Sequence, residues 1–425
     1  MHESEPGAAT LSRNAGLPCS ADGRDAPARR LTHDLDCDIC IIGGGFAGLW
    51  AAHALREQGH DVVVLEQGRL GEGASGRNAG CVGPGYPLPL DRLVKRVGLE
   101  HARALWSLSD KGAEIVRKLA HEARIAMSGG WLQVSGLDNE AGSRRRADSI
   151  SRRLGTTCEA WSTTAVRDVV RSDRYHQAIH FPDAFHLDPA ALLKALAERL
   201  RGAGVHIFEE TEATQADVSG LRKQIATPNA RVRAHHVVFA YGVPTASRLS
   251  PATGSLLPIT SFLGLTEPLG NRLGVALQYA GTVSEAQCPE NQFHQIGDRL
   301  LWASGATVNF GTTRGLRERM SREIGSVFPA LNNVRIEHAC PGTTACAVHE
   351  MPQIGQLHPG VWIIAALGRQ GLAVSAMAGK LVASGIERGD DRWKLFAPFG
   401  VVSALGAMGR MGAEIRLRAA SLRRQ

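Results

Sequence analysis

Residues 38–67, "DICIIGGGFAGLWAAHALREQGHDVVVLEQ", restrict what this chain can fold into more than any other stretch. "DICIIGG" is a short apolar run ending in glycine, as expected of a central parallel strand. "FAGLWAAHALREQG" then reads as a helix whose alanines allow close packing on a sheet, with Gly59 placed for a C-terminal glycine cap. "HDVVVLEQ" (60–67) is a second strand, so the stretch is one βαβ unit.

The strand-to-helix junction carries Gly43-x-Gly45-x-x-Gly48. Gly43 suits a tight turn, Gly45 a close approach of a phosphate to the backbone, and Gly48 close packing of helix on strand. The helix then begins at Phe46 and Ala47, where unpaired N–H groups and the helix dipole favour an anion. Glu66, followed by Gln67, closes the second strand, where a carboxylate accepts hydrogen bonds from a ribose and disfavours a 2′-phosphate. Glycine spacing alone is weak, but strand, helix and acid together point to a dinucleotide other than NADP.

Both FAD and NAD use such a unit, and the next loop separates them. "GASGRNAGC" (73–81) is rich in backbone N–H groups and polar tips and poor in core-forming side chains. Running on from Glu66, it makes a second wall along the pyrophosphate toward a reactive ring. A permanently buried FAD needs that wall and a transient NAD does not.

Further units recur downstream. "HLDPAALLKALAERLRGAGVHIFEET" offers Asp188 as a helix cap, Pro189 in the first turn and a returning strand. "RAHHVVFAYG" (233–242) and "GVWIIAALG" (360–368) read as buried strands, the latter followed by a helix from "LAVSAMAGKLVASGIE". Between them lie amphipathic helical patterns in 91–185 and shorter strand-like runs in 256–339. The reading is a nucleotide-binding domain assembled from 37–90, 186–255 and 340–390, interleaved with a substrate domain from 91–185 and 256–339. Residues 1–36 read as a flexible arm and 391–425 as a basic tail.

Charge and cysteines exclude less than they suggest. The net charge of +7 comes largely from clusters such as Arg144–Arg146 with Arg152 and Arg153, and Arg416, Arg418, Arg423 and Arg424. Aromatic residues are 5% of the chain and do not interleave with these clusters, so solvated faces are expected rather than nucleic-acid binding. No apolar run is long enough to span a membrane, and no signal-like segment is seen, so a cytoplasmic location is expected. The eight cysteines include Cys37-x-x-Cys40, but no second pair or ordered histidine set completes a metal site. On a strand, residues three apart point to opposite faces. Free thiols and no metal are therefore expected.

With these motifs in order along the chain, the sequence resembles the D-amino-acid oxidase-like (DAO) family of FAD-dependent oxidoreductases. The motifs are "CIIGGGFAGLWAAHALREQGHDVVVLEQ", "GASGRNAG", "HLDPAALLKALAERLRGAGVHIFEET", "VVFAYG" and "PQIGQLHPGVWIIAALGRQGLAVSAMAGKLVA". The "GASGRNAG" form is most similar to the γ-glutamylputrescine oxidase branch. The resemblance implies an α/β fold, with a Rossmann-like FAD-binding domain and an α+β substrate domain holding a largely antiparallel sheet. It places Gly43, Gly45, Phe46, Ala47, Gly48, Glu66 and Gln67 at the adenosine diphosphate. Gly73, Ala74, Ser75, Arg77, Asn78, Ala79 and Gly80 would lie along the pyrophosphate and flavin. Ala213 would lie near the adenine, with Ala240 and Gly242 at the end of "VVFAYG". Gly368, Arg369, Gln370, Gly371 and Leu372 would bring N–H groups to the flavin ring, where donors stabilise negative charge.

The substrate motifs depart from the family pattern. "LLWASGAT" (300–307) lacks the arginine common there, Cys340-Pro341-Gly342 stands where tryptophan-x-glycine is usual, and Gly368-Arg369-Gln370-Gly371 replaces Ser-Gly-His-Gly. Arg369 either recognises a substrate carboxylate or binds the flavin or a backbone carbonyl. Trp302 either lines the substrate cavity or fills the core. Cys81 and Cys340 are conceivable flavin attachments, and non-covalent FAD is expected. The expected chemistry is oxidation of a C–N bond of an amine or amino acid by hydride transfer to flavin N5. The imine then hydrolyses and oxygen reoxidises the flavin. Alternatives are a dehydrogenase feeding a quinone or protein, a flavin-binding protein with little turnover, and an RNA-modifying flavoprotein. No catalytic side chain is assigned.

Overall fold

The structure is a computed structural model that describes residues 27–242, 249, 252–286, 291–308 and 315–422. Most of the N-terminal arm, Cys19, Cys288, Arg423 and Arg424 lie outside the described residues. Two sheets organise the molecule. Sheet A holds β1 (Leu35–Ile42), β2 (Val62–Leu65), β7 (His206–Phe208), β8 (Gln215–Asp217), β9 (Lys223–Ala226), β10 (Arg231–Phe239), β16 (Gln353–His358) and β17 (Val361–Ala365). Sheet B holds β3 (Cys81–Val82), β4 (Met127–Val134), β5 (Glu159–Trp161), β6 (Ala178–Leu187), β11 (Leu256–Thr266), β12 (Thr282–Glu285), β13 (Gln292–Ile296), β14 (Arg299–Thr307) and β15 (Ile336–Ala347). The described helices are α1 (Phe46–Glu57), α2 (Leu90–Val97), α3 (Leu99–Glu122), α4 (Glu140–Leu154), α5 (Thr163–Val169), α6 (Pro189–Gly202), α7 (Asn271–Ala276), α8 (Leu316–Val327), α9 (Gly371–Arg388) and α10 (Gly406–Leu422).

Sheet A runs β16-β17-β10-β1-β2-β7, parallel from β17 to β7 and antiparallel at its β16 edge. From β1 the chain fills one side with β2 and β7, then crosses to fill the other with β10 and β17. The strand order therefore reverses beside β1, the place where open α/β sheets take their ligands. Asp188 caps α6 by accepting from Ala190 and Ala191 N–H (2.8 and 3.2 Å), and Gly59 follows α1 with φ +93°. Apart from β12 on β4, which is parallel, sheet B is antiparallel. One of its faces packs on α7 and α8 through Phe262, Phe293, Trp302, Met320 and Phe328.

Several expectations need correction. Residues 29–35 are not free arm: Leu31 is 1% exposed in the core behind sheet A and its N–H donates to Thr211 Oγ1. The sheets divide elsewhere than at residues 90 and 340, since β3 pairs with β6 and β15 stays in sheet B to Ala347. The C-terminal stretch is largely helix α10, packed on β11 and β14 through Ala413 and Leu417. Cys37 and Cys40 face the same core because the Asp38 and Ile39 N–H groups both donate to Asp61 O, a local bulge that breaks alternation. Burial pushes the Cys37 thiol up to about 12 and Cys40 well above its usual range. Cys340 is disulfide-bonded, which no sequence spacing announces because the pairing depends on tertiary distance. That removes it as a flavin attachment, while Cys37, Cys40 and Cys158 are free thiols as expected. No described helix is long and apolar enough to cross a membrane.

Candidate functional site

The β1–α1 turn is built by what glycine lacks. Gly43 has φ +112°, and a Cβ there would lie 2.1 Å from Ala240 O at the end of β10. A Cβ on Gly48 would lie 1.9 Å from Gly43 O, so helix and strand close only on glycine. Glu66 is half-buried beneath the turn; its carboxylate accepts from Gly44 N–H (2.7 Å) and Gly68 N–H (3.0 Å). Exposed Gln67 lies beside it. The Thr211 N–H donates to Glu66 O (2.8 Å), which draws buried Ala213 to the same end of the sheet. Ala240 is buried and its N–H donates to Ile42 O, whereas Gly242 is exposed just before the undescribed residues 243–248.

The loop after Glu66 folds back onto α1. Ser75 Oγ accepts from Phe46 N–H at the first position of the helix (3.0 Å), and a Cβ on Gly45 would meet that oxygen at 2.9 Å. Ala47 follows, buried, in the same first turn. Gly73 is exposed and open, and Arg77 N–H donates to Ala74 O. Asn78 Oδ1 accepts from Gly80 N–H (2.7 Å), and Gly80 turns at φ +80° where a Cβ would strike Leu187 O. Ala79 packs against Leu301, Leu263 and Cys340 on the open face of sheet B. Arg77 Nη1 donates to Pro341 O, so the unusual Cys-Pro-Gly segment backs this loop.

The chain then continues to a second helix N-terminus. Gln370 Nε2 donates to Pro84 O (3.3 Å), and Pro87 Cγ lies 2.7 Å from where a Gly368 Cβ would be. Ala366 (φ +54°) and Gly368 (φ +66°) both take left-handed conformations there, a strain that alanine accepts rarely. The α9 helix opens at Gly371 and buried Leu372 with no side chain capping its N–H groups, and Gln370 Oε1 is buried without a partner. One ribbon, residues 73–88, thus ties the N-terminus of α1 to that of α9. Arg369 is exposed on the turn. Trp302 is 0% exposed and stacked on Phe293 at 4.9 Å, so the structure makes it core and corrects the cavity-lining alternative.

Sheet B adds residues that the sequence did not single out. His186 and His294 stack with ring centroids 3.9 Å apart, 7% and 2% exposed, and neither Nδ1 has a hydrogen-bond partner. His294 pairs across the strands with Leu301, and so shares the face that meets Ala79; His186 pairs with Cys81. Burial lowers His186 to about 4 and His294 well below its usual value, aided by His186, so both rings are neutral near pH 7. Single histidines on alternating strands leave no sequence signal. Asp110 on α3 is raised to about 6, chiefly by burial and then by Glu114 and Asp183. Arg299, at the start of β14, is turned to Glu337 and Thr266 O.

Comparison with known proteins decides the family. The model of FAD dependent oxidoreductases, DAO, matches residues 38–384. The chain belongs to the DAO family. This family member is 28% identical over 384 residues to γ-glutamylputrescine oxidoreductase of Escherichia coli K12, covering 88% of each chain. It is 27% identical to the probable oxidoreductase OrdL of Haemophilus influenzae, over 88% of this chain and 89% of the relative. The fold is shared with glycine oxidase from Geobacillus kaustophilus (TM-score 0.69, 22% identity, 87% of this chain and 99% of that one). It is also shared with L-proline dehydrogenase from P. horikoshii (TM-score 0.70, 20% identity, 85% and 96%). As a DAO-family FAD-dependent oxidoreductase, the chain is an enzyme whose cofactor is FAD.

Proposed function

We propose that this flavoenzyme oxidises the C–N bond of a small amine or amino acid, with oxygen as acceptor. The observation that carries the reading is the 73–88 ribbon linking two helix N-termini, a span suited to a long dinucleotide fixed at both ends. In this reading Gly43, Gly45 and the α1 N-terminus hold the pyrophosphate, Glu66 and Ala213 the adenosine, and residues 75–80 the middle. The Gly368–Leu372 turn supplies N–H groups to the ring end, and Gln370 Oε1 supplies an acceptor there. The donor set fits FAD: the α9 end, which no side chain caps, offers N–H groups to anions, and glycine-lined backbone at the α1 turn lets phosphates approach. Attachment is non-covalent.

Bound FAD supplies a hydride acceptor, and the protein contributes positioning and desolvation. An amine loses hydride readily only when its nitrogen lone pair is free. His186 and His294, held neutral by burial, place no cation on this face of sheet B, which favours binding of the neutral amine. The amine binds in its neutral form, and its nitrogen lone pair forms the C=N bond as hydride leaves carbon for the flavin. The names of the relatives, a γ-glutamylputrescine oxidoreductase and glycine oxidases, support amine substrates.

The test is an anaerobic screen on purified yellow protein with amines and amino acids. Bleaching of the flavin absorbance by an amine, followed by rapid recovery in air, is the expected result. No bleaching by any amine or amino acid rejects the reading, and recovery only with a quinone replaces oxygen as the acceptor.

A further inference from the structure

The C-terminal helix carries a feature that oxidation chemistry does not use. Ten large hydrophobic residues are exposed among the described residues, and six lie between 401 and 415: Val401, Val402, Leu405, Met408, Met411 and Ile415. The last three are 62–69% exposed, and all three fall on one side of α10 at helical spacing. The opposite side, Ala413 and Leu417, is the seam buried against Leu257 and Val308. At 100° per residue, exposed Arg416 and Arg418 fall on either flank of the apolar stripe, and exposed Arg410 lies further round. This helix lies beyond residue 384, where the family match ends.

Two further contacts hold this orientation. Glu414 accepts from Thr307 Oγ1 (2.9 Å) and Val308 N–H (3.1 Å), fixing the helix's rotation on sheet B. Arg416 pairs with Glu350 at 2.8 Å, tying the helix to the body of the protein. An open groove of about 530 Å³ lies between Arg410 and Arg418, floored by Val308, Met411 and Ile415, with Glu414 on its wall paired to Arg418. It sets the Arg410 guanidinium beside an apolar floor, the pairing that a phosphate headgroup with an attached acyl chain requires.

We propose that α10 docks the protein on an anionic lipid surface, its Met408–Met411–Ile415 stripe entering the headgroup boundary and Arg410 pairing with lipid phosphate, while Arg416 and Arg418 stay on Glu350 and Glu414. A second copy is the poorer occupant. Symmetric pairing of α10 helices would bring Arg410, Arg416 and Arg418 toward one another, and the one carboxylate on the helix within reach, Glu414, is already engaged by Thr307, Val308 and Arg418. A bilayer carrying negative charge takes the stripe and the Arg410 cation together.

The experiment is flotation of the full-length, FAD-loaded protein with vesicles of phosphatidylglycerol and phosphatidylcholine, compared with phosphatidylcholine alone. Binding to the anionic vesicles that falls with salt is expected. Met408→Gln with Met411→Gln should weaken it by about tenfold, and Arg410→Ala by about fivefold. Flavin content and circular dichroism of each variant check that it folds, which surface positions should permit. Vesicle binding that is absent, indifferent to lipid charge or unchanged in the Met variant overturns the proposal. So does a solution dimer that dissociates in the Met variant while vesicles bind neither protein.

Discussion

Half-buried Gly43 with buried Gly48 at the end of sheet A, and buried His186 with His294 on sheet B, are constrained in opposite ways. At sheet A the backbone does the work, and the side chains matter by being absent or by capping an N–H. At sheet B the backbone is strand ladder, and two buried imidazoles are held neutral by their surroundings. The first arrangement fails through steric clash and is indifferent to pH. The second tolerates changes of shape but responds to protons.

Gly48→Ala tests the difference hardest. Its Cβ would sit 1.9 Å from Gly43 O, so a loss of about 3 kcal/mol or more is expected, seen as a large fall in melting temperature and in bound flavin. Unchanged melting would break the claim that sheet A's site is set by close backbone approach.

The histidine pair should show itself on acidification. An unfolded chain takes up protons near pH 6.5, whereas folded His186 resists until about pH 4. Stability should therefore decline as pH falls through that interval, by about 3 kcal/mol from His186 alone, with His294 acting in the same direction. Urea titrations at pH 7 and pH 4.5 on the protein and on His186→Phe would measure it. An equal acid loss in the variant would show that the pair is not the source.

Asp110 sharpens the contrast because its sign is reversed. Its carboxyl, raised to about 6, keeps its proton in the folded state when the unfolded chain has lost it, so stability falls as pH rises from about 4 to 6. Asp110→Asn should gain about 1–2 kcal/mol above pH 6, after allowance for partial solvent access, and nothing below pH 4. A gain independent of pH would assign the effect to packing instead.

Ser75→Ala is the smallest change. Removing the hydroxyl that caps Phe46 N–H should cost about 1 kcal/mol and loosen flavin retention on dialysis. A loss of stability with flavin binding unaltered would place Ser75 outside the cofactor's reach.

This division also explains what is legible in the sequence. Glycines must recur at fixed spacing to let strand, turn and helix close, so Gly43, Gly45, Gly48 and Glu66 stand out from local pattern alone. The cap at Asp188 is legible for the same local reason. His186 and His294, 108 residues apart by number, meet only because β6 and β13 share a face, and no local pattern records that. Trp302 and the Cys340 disulfide are opaque for the same reason, and α10 is hidden because a basic composition masks its apolar stripe.

The order of strands in sheet A has a consequence for the protein's birth. β1 and β2 leave the ribosome early, but their sheet is completed by β17, whose last residue is Ala365. At roughly 5–20 residues per second, the nascent chain waits on the order of tens of seconds before its cofactor-binding sheet can close. During that interval an unpaired edge, first that of β1 and then that of β10, invites wrong partners. Flavin loading is therefore a late event in synthesis, and a chain truncated before residue 361 should never acquire colour.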